Sequence, residues 1–178
     1  MPVLTPLPLD AITDPELRQV LAEGERLGVP DALFPRILAL APTQGKALLR
    51  ALIMSHRDGN VDHKLKEIIR IRLARVAGDP YFAALRSRAA QARGLTENAV
   101  EAGSGDYESS PLFTDAEKCA LRYAEQMYLD PNGVDAAFYA ELKTHFTEAQ
   151  IMELGSFIAL HYGMQMFMRS LHDALPHD

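Results

Sequence analysis

The strongest constraint on the fold is punctuation. Helix starts and stops follow one another along the whole chain, and no stretch carries a convincing strand alternation. Thr13-Asp14-Pro15-Glu16 supplies an acidic, proline-bearing first turn, and Gly28 stops the helix it opens. Short helices are expected over residues 32–40 and 43–56, the second opened by Pro42, before a turn at Arg57-Asp58-Gly59-Asn60. Asp62 is placed to cap a helix ending at Gly78, because its carboxylate can accept from a free amide of the first turn. Asp79-Pro80 repeats the device for a helix running to Gly94, and a short helix after Thr96 leads into a loop over residues 103–111. Thr114 with Glu117, and Thr147 with Gln150, form two capping boxes. The last helix, expected from 148 to about 174, is apolar on more than one face, which places it centrally or in a subunit interface. Met164, Met166 and Met168 thicken it as adaptable core.

These signals predict an all-α fold of about eight helices in a single domain over residues 1–178, with no internal linker. A chain of 178 residues, 48% hydrophobic and 24% charged, is of ordinary globular composition and can bury a proper core. The net charge of −6 is spread over the chain, which argues against a nucleic-acid partner. A local basic excess, Lys64, Lys66, Arg70, Arg72 and Arg75, is interrupted by Glu67 and reads as a solvated or intersubunit face. The proline-rich residues 1–10 do not have the pattern of a signal peptide. Residues 151–171 contain Glu153, His161, Gln165 and Arg169, so no membrane span is expected there. With one cysteine and no export signal, the expected location is the cytoplasm.

Residues 65–95, LKEIIRIRLARVAGDPYFAALRSRAAQARGL, resemble the core segment of the alkylhydroperoxidase-D-like and carboxymuconolactone decarboxylase superfamily. In that pattern a glutamate-bearing helix ends in a turn. The next helix then opens with Cys-x-x-Cys-x-x-x-His, followed by an alanine run and a Gly-Leu/Val-Thr/Ser-Glu stop. Glu67 matches the glutamate, residues 88–93 the alanine run, and Gly94-Leu95-Thr96-Glu97 the stop. The closing helices match through Phe-Thr-Glu-x-x-Ile-x-Glu-Leu, so the resemblance covers residues 58 to 174, with a core segment at 58–103 and C-terminal helices at 114–175. Asp79 and Phe82 occupy the cysteine positions and Arg86 the histidine position. A thiol at a helix start is activated by the dipole and free amides; Asp79 uses the same field for capping, and Phe82 offers no nucleophile. Dithiol peroxidase activity is therefore not expected. Cys119, some forty residues from the motif by count, reads as a small core hydrophobe, and a one-cysteine peroxidase is disfavoured.

What remains is an acid–base site. Glu67 lies among Leu65, Ile68, Ile69, Ile71, Leu73 and Val76, surroundings that raise a carboxyl pKa, although it can equally pair with Arg70 or with Arg86. His161 and Tyr162 sit midway along the last helix, and His161 is either a satisfied core histidine or, as the resemblance implies, part of a pocket wall with Tyr162. Tyr81 matches a tyrosine between the family's cysteines and either offers a hydroxyl or packs. His56, His63, His145, His172 and His177 lie near helix ends or in the tail. His63 and Glu67 supply only two metal ligands, so neither a metal nor a cofactor is expected. Phosphate-loop, nucleophile-elbow and zinc-protease motifs are absent.

Two functions follow. In the first, the chain performs cysteine-independent decarboxylation or isomerisation of a small organic acid or lactone. Glu67 is then the acid or base, Arg86 the fork for the substrate carboxylate, and His161 or Tyr162 the assistant. In the second, it is a non-catalytic, oligomeric binding or structural protein. Either way a homo-oligomer is expected: a trimer, a hexamer or a dimer.

Overall fold

The computed structural model describes residues 3–28 and 33–171, and these contain ten α-helices and two short 3-10 turns, with no strand. The helices are α1 (Pro15–Leu27), α2 (Phe34–Leu38), α3 (Pro42–Arg57), α4 (His63–Val76), α5 (Pro80–Ala84), α6 (Arg88–Ala92), α7 (Glu97–Ser104), α8 (Asp115–Leu129), α9 (Ala136–His145) and α10 (Glu148–Arg169).

The caps fall where the sequence places them. Asp62 accepts from Lys64, Asp79 from Phe82 and Thr96 from Ala99, and both Thr114/Glu117 and Thr147/Gln150 close as reciprocal capping boxes. Gly28 and Gly78 stop α1 and α4 in the left-handed conformation, at φ 69° and 65°. The last helix ends at Arg169, with Ser170 as its cap, short of the expected 174, and the start expected at residue 32 lies outside the described residues.

One expectation fails in an instructive way. The helix predicted from Asp79 to Gly94 is broken: α5 ends at Ala84, Leu85 and Ser87 are extended, and α6 starts anew with Ser87 as its cap. No proline or glycine forces the break. The backbone groups it frees are instead satisfied from α4. Arg70 donates to the carbonyls of Phe82 and Leu85, at 2.8 and 2.7 Å, and Glu67 accepts the Ser87 amide at 2.7 Å.

The central helix is α4. Eleven of its residues are buried, and it packs against α3, α5, α6, α7, α8 and α10. Its basic residues do not form a solvated face, contrary to the expectation from their run in sequence. Lys66, Arg70 and Arg72 are buried, and each meets an acid: Lys66 with Glu153 at 2.7 Å, Arg70 with Glu67 at 2.8 Å, and Arg72 with Glu125 at 2.8 Å. Only Lys64 and Arg75, at the ends, stay partly exposed. Six flanking helices leave no room for a wet side, so each charge must be neutralised in place.

Two apolar clusters lie about α4. One includes Ile69, Leu121, Leu142, Leu154 and Phe157; the other joins α1, α2 and α3 to Phe82 and Met168. Helix α10 lays Ile151, Leu154, Phe157, Ile158, His161, Gln165 and Met168 inward at helical spacing and leaves Met152, Met166 and Phe167 exposed. Among the described residues, no helix is long and apolar enough to cross a membrane.

Helices α2 and α3 meet at Gly45, where an added Cβ would lie 2.5 Å from the Leu38 carbonyl oxygen. Alanine is worth about 1 kcal/mol over glycine within a helix, but a backbone atom cannot step aside as a side chain can. Gly45→Ala is expected to lose about 1–3 kcal/mol of stability in urea unfolding. An increase in stability would show that α2 docks loosely.

Candidate functional site

A cavity of about 60 Å³ lies between α3, α4, the α5–α6 break and α10. It has room for a few waters or a small organic group. Phe34, Leu52, Phe82, Leu85 and Met164 form its apolar walls, and Glu67, Arg70, Arg86, Ser87, His161 and Gln165 bring polar groups to it. The break after Ala84 creates one side of this space, since it turns Leu85, Arg86 and Ser87 toward α4 and α10.

Glu67 is fully buried and locked. Both its oxygens accept from Arg70, at 2.9 and 2.8 Å, and Oε1 also accepts the Ser87 amide. Burial pushes its carboxyl pKa up, but the Arg70 charge, the Arg70 hydrogen bonds and the Ser87 amide together outweigh burial and hold it below the ordinary value. The raised pKa expected from apolar neighbours is thereby overturned. Of the two partners left open, Arg70 is the one adopted. Arg86 instead pairs with Glu97 at 3.0 Å, in a bridge whose acidic side chain is 65% exposed.

His161 does reach the cavity. Its ring lies 4.1 Å from Phe157 and 4.6 Å from His56, and its Nε2 is 3.3 Å from the Ser55 hydroxyl. Burial above all, then His56 and Arg70, push its pKa well below the usual histidine value, so it stands neutral near pH 7. Tyr162, its neighbour in sequence, points elsewhere: it packs edge-on against Tyr128, 4.9 Å away, and does not line the cavity. Tyr81 packs edge-on against Phe82 and is likewise not part of the lining. A helix turns about 100° per residue, and at this position the turn carries Tyr162 from the His161 side round to Tyr128.

Of the residues at the positions that match the cysteines of the resembling pattern, Asp79 caps α5, and Phe82 contributes an apolar wall and a carbonyl for Arg70. Cys119 is completely buried in the first apolar cluster, where burial raises its thiol pKa, away from reactivity.

Sequence reasoning left out a second polar chain. Ser87 Oγ lies 2.9 Å from Nε2 of His63, and Nδ1 of His63 makes a short contact with the His56 carbonyl. The rings of His56 and His63 are 5.2 Å apart, and neither nitrogen of buried His56 has a partner. No signal joined these residues beforehand: His56 closes α3, His63 opens α4, and Ser87 precedes a helix that the sequence pattern hid inside a longer one. Among the described residues no group of three or more His, Cys, Asp or Glu side chains is arranged to hold a metal ion.

Comparisons with known proteins agree with this architecture. No family model matches the chain. A stretch of 55 residues is 42% identical to the uncharacterized protein YnjA of Escherichia coli (strain K12), over 31% of this chain and 30% of YnjA, so the chain spans under a third of the curated relative's length. A cysteine-to-alanine variant of the debrominase Bmp8, in complex with 2,3,4-tribromopyrrole, superposes with a TM-score of 0.81 at 20% identity, covering 96% of this chain and 89% of that one. An uncharacterized peroxidase-related protein from Ralstonia eutropha JMP134, with an alkylhydroperoxidase AhpD core, gives 0.78 at 16% identity over 97% and 90%. A peroxidase-related protein from Silicibacter sp. TM1040 gives 0.76 at 16% over 96% and 91%. This chain has the alkylhydroperoxidase-D-like helical fold. It carries that fold with a single cysteine and hence without a Cys-x-x-Cys pair.

Folded His56 and His161 resist protonation, whereas the unfolded imidazoles titrate near 6.5. Below that pH the unfolded chain binds more protons, so stability is full above about 6.5 and falls as pH drops, by up to about 1.4 kcal/mol per pH unit for each histidine. Urea midpoints measured from about pH 7.5 to about pH 5.5 should show this decline, and it should be shallower in His56→Phe. Glu67 adds a second loss at lower pH, present above the ordinary 4.5 and disappearing as pH falls through its lower folded value. Glu67→Gln should cost about 3 kcal/mol, because it leaves Arg70 buried without its counter-charge. A flat pH profile or a neutral Glu67→Gln would contradict the burial described.

Proposed function

We propose that the chain is a cysteine-independent enzyme that transfers a proton on a small organic acid or lactone held in the cavity. The observation that carries this reading is His161, a buried neutral imidazole that reaches a cavity whose Glu67 and Arg70 are locked to each other. Glu67 is removed from the acid–base role by its lock on Arg70 and is instead a positioning residue, holding the Ser87 amide and the α5–α6 break. Arg86 is the group offered to a substrate carboxylate. Its bond to exposed Glu97 is worth about 1 kcal/mol or less, so an incoming carboxylate displaces it cheaply. Arg70 cannot serve, since its donors are spent on Glu67 and two carbonyls. The debromination named for Bmp8 is not transferred to a chain whose only cysteine is buried in the core.

A second reading, a non-catalytic binding protein, draws on the same saturation of Glu67 and Arg70. Met152, Met166 and Phe167, exposed on α10, are where a second copy would cover apolar surface in a homo-oligomer.

Small carboxylic acids and lactones are expected to raise the melting temperature, by the equivalent of about 2.7 kcal/mol at a hundredfold excess over Kd. Arg86→Ala should lose the response to acids. Turnover of a stabilising compound should fall about 100-fold in His161→Phe while its binding persists. If binding persists and no turnover is detected in the unmodified protein, the binding reading replaces the enzyme. If no acid or lactone binds, the substrate class is wrong.

A further inference from the structure

Ser87 and His63 have no part in the proton transfer assigned to His161, yet the hydroxyl of Ser87, a residue of the cavity wall, lies 2.9 Å from the imidazole of His63. We propose that Ser87 is a nucleophile, with His63 as its general base, that accepts an acyl group from a small ester or lactone entering the cavity. This rests on the reading that the cavity takes such a molecule and adds a reaction class to it.

The protons are fixed by chemistry. A backbone carbonyl only accepts, so the contact between His63 Nδ1 and the His56 carbonyl places the ring proton on Nδ1. Nε2 then holds a lone pair, and the Ser87 hydroxyl, 2.9 Å away, donates to it. A nucleophile, a base within hydrogen-bond reach and a third group that orients the base make up the arrangement that activates a serine. Ser87 is further fixed through its backbone, since its amide donates to Glu67 at 2.7 Å.

Capping alone does not account for the pair. Ser87 Oγ accepts from the Ala90 amide at 3.3 Å, a long bond that leaves the hydroxyl proton for His63. A serine cap needs no histidine, and burying this imidazole costs desolvation that an apolar side chain would avoid. Arg86, adjacent in sequence and lining the same cavity, spends Nη1 on the carbonyls of Ala83 and Leu85 and offers Nε and Nη2, held by exposed Glu97, to a developing oxyanion.

In the first step Ser87 Oγ bonds to the acyl carbon and its proton passes to His63 Nε2. The carbon–oxygen bond to the leaving alcohol breaks, and that oxygen takes the proton from His63. Water then adds to the acyl carbon, giving its proton to His63, and the bond to Ser87 Oγ breaks as the serine recovers that proton. The sum is ester plus water to acid plus alcohol, with no oxidant or reductant.

The full chain treated with p-nitrophenyl acetate, and separately with a small fluorophosphonate, is expected to gain one group per chain, which peptide mapping locates at Ser87. Ser87→Ala should abolish this. Ser87→Cys, which keeps the size of the side chain and its place at the cap, should be labelled at its thiol. His63→Gln should slow p-nitrophenolate release about 100-fold, each variant being compared after its melting curve shows it folded. Modification at a lysine, a tyrosine or Cys119 with Ser87 untouched, or unchanged release in folded His63→Gln, overturns the proposal. If Ser87 stays unlabelled while acids or lactones still raise the melting temperature, the nucleophile falls and the reading of the cavity stands. Labelling at Ser87 without any binding of acids keeps the serine and discards the acid half of that reading.

Discussion

The Glu67–Arg70 pair is the interaction on which the rest of the site hangs. One turn of α4 supplies a carboxylate and a guanidinium that neutralise each other, and their remaining hydrogen-bonding capacity is spent on the backbone of residues 82–87. A broken helix buried without such partners would leave several polar groups unsatisfied, at about 1–3 kcal/mol each. With the partners present, the break is stable, Leu85 to Ser87 face the cavity, and Ser87 is held where His63 can reach it. The pair's cost is also clear. Both groups are removed from acid–base service, which leaves His161 and Arg86 as the lining groups to which the proposed chemistry is assigned.

Much of the fold was legible in the sequence because caps are local. Asp62, Asp79, Thr96, Thr114 and Thr147 each act within three residues, and each appears in the structure as a cap. The break at Leu85–Ser87 was not legible, since its cause lies 15 to 20 residues back in α4. The same holds for the basic residues of α4. Their sequence pattern is that of a wet face, and only the arrival of Glu153 and Glu125 from distant helices makes burial tolerable. Charge patterning reports composition along one helix and carries no information on how many neighbours surround it.

The candidate site was half legible for the same reason. Glu67, Arg86 and His161 reach the cavity, as the motif register and helical spacing suggested. Tyr162 and Tyr81 do not: Tyr162 packs against Tyr128 and Tyr81 against Phe82. Ser87, His63 and His56 come from three separate elements and meet only after α3, α4 and the break are assembled. At the positions that match the family's cysteines, a capping carboxylate and a phenyl ring do structural work.

The wiring of α4 also bears on the order in which the chain folds. Lys66 waits for Glu153, 87 residues further on, and Gln165 of α10 donates to the Arg70 carbonyl across 95 residues. As the chain leaves the ribosome, α4 emerges long before α10, and until then Lys66 lacks its carboxylate partner. Desolvating that ammonium early would be uphill by several kcal/mol. The middle of the molecule is therefore completed by its C-terminal helix, and truncation or delay there leaves the earlier segments hydrated and unpacked.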